Sequence, residues 1–244
     1  VVDLTNKTIC VLLHGSSLNE LESKIEEFRN INVVWCGINY FNPSEEILKK
    51  IDKSFNIIFD CSTVQNNVEY EKKARLPRLI EFLERKNTTY ITLKSGRDNL
   101  YDLRNRIGSD FNEKYKNQIV YGENLGFDCN QFCVSLHLYL TCLLKLGAKT
   151  IILFGADGGG NLGNSVSSYY KPELMQEDKV IAGNTSYNMT GDTCNVNNSF
   201  NSIMQSIFGQ IPTILNCSPN SQYTVFKNVN FNQVLKEIKN GANY

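Results

Sequence analysis

The sequence predicts an α/β fold, a doubly wound domain with a mostly parallel sheet, on three observations. Short apolar runs recur along the first half of the chain, each is followed by a polar turn and a stretch with helical spacing, and a glycine closes the most apolar of those stretches. With 244 residues, 41% of them hydrophobic, the chain can bury a large core without disulfides or a structural metal. A single domain over residues 1–244 is expected.

Taken in order, Ile9 to Leu13 reads as a strand and Leu18 to Phe28 as the helix after it. Val33 to Cys36 is the second strand, leading to a helix opened by Asn42-Pro43-Ser44-Glu45-Glu46, and Ile57 to Asp60 is the third, leading to the charged helical stretch Val68 to Arg85. Pro43 and Pro77 stand where a helix can begin, because the first turn has no use for their missing N–H. Thr89 to Leu93 precedes a helix from about Asp98, and Gln118 to Tyr121 precedes the apolar helix Asn130 to Leu146. Gly147 suits the left-handed cap of that helix, and Thr150 to Phe154 is the most hydrophobic strand.

Residues 155–193 then hold Gly, Ser, Asn and Tyr with little periodicity, too long for an idle connection in a compact domain. Residues 158–193 are the candidate lid. Order returns with a helix near Asn198 to Phe208, a strand from Pro212 to Asn216, the turn Cys217-Ser218-Pro219-Asn220-Ser221, and a last helix from Phe231 to Ile238.

Lys and Arg number 25 against 25 Asp and Glu, which lacks the basic footprint of a nucleic-acid-binding protein. The eight cysteines contain no CxxC or paired zinc spacing, so they are expected to be reduced core thiols. No window of about 20 apolar residues suggests a transmembrane segment, and the protein is expected to be soluble and cytoplasmic.

In a doubly wound sheet, ligands lie beyond the carboxyl ends of the strands. The first such loop, His14-Gly15-Ser16-Ser17-Leu18, offers a glycine, two hydroxyls and free N–H groups at a helix start, a setting suited to phosphate. It lacks the Lys and further glycines of a Walker A loop or a GxGxxG turn. Ser16 or Ser17 also suits a plain N-cap. The second loop brings Gly37 and Asn39, where a base or ribose would lie, and the third brings Asp60 and Ser62. Gly155-Ala156-Asp157-Gly158 follows the most apolar strand, and Asp157 could orient a sugar hydroxyl, hold a divalent ion or cap a turn. Of the two histidines, His137 lies in an apolar run and reads as a satisfied helix histidine. Cys129 and Cys133, four apart, would share a face at the start of that helix and pack there.

With these loops in place, the chain resembles the bacterial sialyltransferases of glycosyltransferase family forty-two. It also resembles the related domain of motility accessory factors and archaeal hydroxymethylpterin diphosphokinases. The matching pieces are Leu12 to Leu18, Cys36 to Phe41, Leu146 to Asp157, the Ser168-Tyr169 pair and Cys217 to Ser221. The resemblance implies a Rossmann-like, GT-A-like domain in which Gly15, Ser16 and Ser17 meet the donor phosphate and Asn39, Ser62 and Ser135 contact the nucleotide. Tyr169 and Tyr170 would stand near the phosphate and leaving group, with Asp157 among the donor-binding residues. The catalytic histidine of that family would precede the helix at Asn198. The stretch Ser186 to Cys194 contains no His, which leaves Asp192 or Tyr187 as base.

The implied activity is a glycosyltransferase that takes a sugar of the sialic-acid kind from a nucleotide-activated donor, with a CMP-sugar favoured, to a hydroxyl on a glycan or other acceptor. No metal or other cofactor is obligatory for it. Two other readings stay open: a pyrophosphokinase of the hydroxymethylpterin type, needing Mg²⁺ on carboxylates such as Asp60 and Asp157, and a non-catalytic nucleotide- or sugar-binding module of a glycosylation protein.

Overall fold

The structure, a computed structural model, describes residues 2–38, 42–60, 76–85, 87–93, 110–132, 134–158 and 189–239. Within these ranges the side chains of 42, 43, 189–192 and 237 are not described. The elements are β1 (Thr8–Leu12), α1 (Leu18–Lys24) with a 3₁₀ turn after it (Ile25–Phe28), β2 (Val34–Ile38), α2 (Asn42–Lys49), β3 (Ile57–Phe59), α3 (Leu76–Arg85) and β4 (Thr89–Thr92). They continue with α4 (Phe111–Lys114), β5 (Ile119–Tyr121), α5 (Ser135–Lys145), β6 (Thr150–Phe154), α6 (Met189–Phe208), β7 (Ile214–Asn216), β8 (Lys227–Asn228) and α7 (Phe231–Lys239).

The strands form one eight-stranded sheet in the order β5-β4-β3-β2-β1-β6-β7-β8, and every pairing is parallel. Central strands such as β1, with Ile9 to Leu12 fully buried, are apolar on both faces because helices cover both. One face carries Cys10, Leu12, Trp35, Ile58 and Phe154 against the residues of α1, α2, α3 and α7. The other carries Ile9, Val11, Cys36, Phe59 and Leu153 against α5 and α6. The fold class expected from the sequence is therefore present, with every strand pair parallel.

Several expected boundaries move. The helix expected from Asn130 begins at Ser135, because Val134 is extended (φ −131°, ψ 133°). Cys129 lies ahead of it in a short 3₁₀ turn, Cys129–Gln131, closed by the Asp128 side chain accepting from the Asn130 N–H. Cys129 is thus off the helix face on which it was expected, and Cys133 lies outside the described residues. The helix expected from Asn198 begins at Met189. Its buried stripe of Val196, Phe200 and Met204 is extended backwards by Thr193, 5% exposed, a polar residue that hides the helical period. The last five residues of the expected loop are thus helical. The two-residue β8 was not expected, since exposed Lys227 and Asn228 carry no apolar signal. Gly147 does close α5, at φ +99°, its N–H donating to Leu144 O while Ala148 N–H donates to Leu143 O. Residues 61–75 and the helix expected from Asp98 lie outside the described residues.

Candidate functional site

The chain builds the sheet outward from β1 to β5, returns, and builds the other half from β6 to β8. The connections after β1 and β6 consequently leave in opposite directions, which opens a crevice at their carboxyl ends. The floor of that crevice is closed by backbone: Leu13 N–H donates to Phe154 O (2.9 Å) and Gly15 N–H to Gly155 O (2.8 Å). These bonds carry the β1–β6 ladder past its last strand pair, Leu12 with Phe154.

On this floor lies Asp157. Its Oδ2 accepts from the Ser17 N–H (2.9 Å) and the Ser16 hydroxyl (3.1 Å), and its Oδ1 accepts from the Ser17 hydroxyl. A β-carbon built on Gly15 would fall 2.5 Å from Asp157 Cγ and 2.6 Å from Gly155 O, so glycine is required there for the carboxylate to approach. Ser17 stands at the N-cap position of α1, yet its hydroxyl makes no cap bond. A negative charge arriving from β6 lies at that end of the helix instead. Gly15, Ser16, Ser17 and Asp157, expected to share one site, are brought together, with the two serine hydroxyls turned to the carboxylate.

A second layer, unrecognised as functional in the sequence, supports them. The Ser17 and Ser218 hydroxyls lie 2.9 Å apart; since Ser17's single proton goes to Asp157, Ser218 donates here. Fully buried Asn216 accepts from the Ser218 N–H (3.0 Å) and donates to Ala156 O (3.2 Å) and Ser221 Oγ (2.9 Å). The Ser221 hydroxyl reaches Ala156 O (2.7 Å), and Gln222 N–H donates to Asp157 O (2.7 Å). The available signal was Asn216, an amide ending an apolar strand, because a buried polar group needs partners.

Ser135 opens α5, on the far side of the sheet from α1. The N-cap, Val134, provides no side-chain bond to the helix. Leu93, Cys129, Asn130, Phe132, Val134, Ser135 and Leu138 line a small cavity there, beyond the end of β4. His137, in the same first turn, is 2% exposed with its ring 5.0 Å from both Phe132 and Phe200. Its Nε2 has no hydrogen-bond partner, so the expectation of a satisfied histidine fails, and burial holds its pKa down at about 4. His14 is also held at about 4, by burial, against a smaller opposing effect of a hydrogen bond to Ile38 backbone. Burial, with Glu123 and Asp128 nearby, pushes the Cys129 thiol up to about 12, far from thiolate chemistry.

Asp60, just after β3, is fully buried, its N–H donating to Ile91 O (3.1 Å) and its carbonyl accepting from the Thr92 hydroxyl (2.8 Å). Asn39, Ser62, Tyr169, Tyr170 and Tyr187 lie outside the described residues, as does most of the expected lid. Asp192 is described by its backbone alone, in the first turn of α6 rather than in a loop. The next residue, Thr193, places Cγ2 3.1 Å from a β-carbon built on Gly158. The start of α6 therefore abuts the Asp157-Gly158 corner. Among the described residues no group of three or more His, Cys, Asp or Glu could hold a metal ion, and no helix there is long and apolar enough to cross a membrane.

Searches with the sequence find no matching protein-family profile and no matching curated protein. Solved structures do match. The sialyltransferase CstII from Campylobacter jejuni, in complex with cytidine-5′-monophosphate, aligns at TM-score 0.53 and 14% identity over 92% of this chain and 85% of its own. CstII in complex with CMP-3FNeuAc aligns at 0.52 and 14% over 91% and 85%. The monofunctional alpha-2,3-sialyltransferase Cst-I from the same organism aligns at 0.51 and 13% over 91% and 79%. The resemblance read from the loops thus extends to the architecture: this chain has the fold of the Campylobacter sialyltransferases.

Proposed function

We propose that the protein is a glycosyltransferase that moves a sugar of the sialic-acid kind from a CMP-activated donor to a hydroxyl acceptor. The observation that carries this reading is the likeness, over about nine-tenths of the chain, to sialyltransferases solved with CMP or CMP-3FNeuAc bound. A switch-point crevice at the β1 and β6 ends supports it.

In the reaction the acceptor oxygen bonds to the anomeric carbon as the bond from that carbon to the phosphate oxygen breaks. The hydroxyl proton passes to a base and CMP leaves with the electron pair. We assign the leaving phosphate to the amino end of α5, where no side-chain cap competes and Ser135 stands first; its aligned N–H groups favour the developing charge. Asn39 and Ser62 contact the nucleotide and Tyr169 and Tyr170 the phosphate, as the resemblance implies, while Gly15, Ser16 and Ser17 form the crevice wall. Asp192 is assigned as base over Tyr187, because a carboxylate of pKa about 4 is ionised at neutral pH and a phenol of about 10 is not. The nearness of the α6 first turn to the Asp157-Gly158 corner supports that choice. No metal enters the proposal.

Thermal unfolding in the presence of CMP, UDP, GDP and ATP, with and without Mg²⁺, tests the ligand. CMP at about 100 times its Kd should stabilise by about 2.7 kcal/mol without Mg²⁺, and stabilisation by ATP only with Mg²⁺ would favour pyrophosphoryl transfer. Turnover of CMP-sialic acid tests the base. Asp192→Asn should lose about a hundredfold or more in kcat at unchanged CMP affinity. Equal turnover would remove Asp192 from the mechanism, and CMP binding without turnover by the wild type would leave a binding module.

A further inference from the structure

The loop after β1 has the composition of a phosphate cradle, but its donors are already engaged. The Ser17 N–H and the Ser16 and Ser17 hydroxyls all point to one acceptor, the Asp157 carboxylate. A phosphate placed on the same donors would have to displace a carboxylate that is anchored elsewhere: Asp157 O accepts from Gln222 N–H, and Ala156 O is held by Asn216 and Ser221. Two anions at one set of donors repel, so one site serves one of them. Gly15 points the same way, because the atoms its missing β-carbon makes room for are Asp157 Cγ and Gly155 O.

We infer that Asp157 is a positioning residue, which occupies the anion site of the loop after β1 and so fixes residues 14–17 as a wall of the crevice, instead of touching the donor. Ser17 is its lever: one carboxylate oxygen holds the Ser17 N–H, the other holds the hydroxyl, and Ser218 fixes that hydroxyl from β7. Loops from β1, β6 and β7 are thereby locked into a single arrangement at the crevice. The effect on donor binding rests on the CMP-sugar reading above; the shape of the loop does not.

Two measurements separate these. Amide hydrogen exchange of the free protein reads the loop alone. In Asp157→Ala and in the milder Asp157→Asn, the amides of residues 15–18 should exchange about tenfold or more faster, reflecting loss of a charged acceptor, while those of Leu138 to Leu143 in α5 keep the wild-type rate. Unchanged exchange at 15–18 in Asp157→Asn would overturn the inference, whatever the ligand. The second measurement is a double-mutant cycle in CMP affinity with Ser17→Ala, Asp157→Asn and the pair. Asp157→Asn should weaken CMP binding several-fold, and adding Ser17→Ala to it should cost nothing further. Additive losses, or tighter CMP binding when the charge is removed, would mean that Asp157 faces the nucleotide directly and would overturn the assignment. If the wild type binds no CMP, the donor reading fails and the exchange result alone decides the role of Asp157.

Discussion

At Gly15 the two groups a β-carbon would strike differ in their freedom to move. The Asp157 carboxylate, 2.5 Å away, could rotate at the loss of its bonds to Ser16 and Ser17, but Gly155 O, 2.6 Å away, is backbone in the sheet extension. Gly15→Ala should therefore destabilise by about 1–3 kcal/mol, as overpacking does, measurable by urea unfolding. At His137 the prediction concerns pH. Its folded pKa of about 4 lies below the ordinary 6.5, so the unfolded chain takes up the proton first. Its contribution to stability is full above pH 6.5 and is lost as pH falls from 6.5 towards 4. At about 1.36 kcal/mol per pKa unit the loss is about 3 kcal/mol. His137→Leu, which also removes the unpartnered Nε2, should flatten the decline in unfolding free energy between pH 7 and pH 4 by about that amount. Neither residue declared its role in the sequence. Gly15 was expected to meet a phosphate, but the group approaching it comes from residue 157, and His137's surroundings come from Phe132 and from Phe200 on another helix.

Among the elements, α5 has an unusual start. An extended N-cap residue is the right backbone for Ser or Asp, yet the position holds Val134. Val134→Ser should stabilise the free protein by about 1 kcal/mol through a cap bond to the first turn. If the leaving phosphate uses that end, the same change should weaken CMP binding, and calorimetric titration beside thermal unfolding would show the two effects with opposite signs. Elements were legible where burial writes itself in apolar residues. Thr150–Phe154 was read to the residue, and Pro43 and Pro77 each occupy the second position of a helix. Legibility failed where a polar residue does a buried job: Thr193 masks the first turns of α6, and Asn216, whose side chain makes three hydrogen bonds to the loops around it, looks like an ordinary strand end.

For the whole molecule, alternation of strands and helices told of a parallel sheet, and the loops pointed to a candidate site at its carboxyl edge. What alternation could not tell was the strand order. That β6 pairs with β1, and not with β5, rests on the match between two apolar strands, Thr8–Leu12 and Thr150–Phe154, a contact far beyond any local period. That pairing creates the crevice, and it is why Ser17 and Asp157 meet.

The contact between Gly158 and Thr193 has a consequence for how this architecture tolerates change. The chain leaves the described residues at Gly158, and Thr193 of α6 lies beside that same glycine, so the two ends of the stretch between them are close together. The eight described strands all lie outside residues 159–188. The entropy of closing such a loop varies only slowly with its length. Replacing 159–188 by a short Gly-Ser linker should leave the protein folded and no less stable, by circular dichroism and urea titration, while removing Tyr169, Tyr170 and Tyr187 together. Length and composition between these two points can then drift without endangering the sheet, which, for the glycosyltransferase proposed above, makes this stretch the natural place for a change of acceptor.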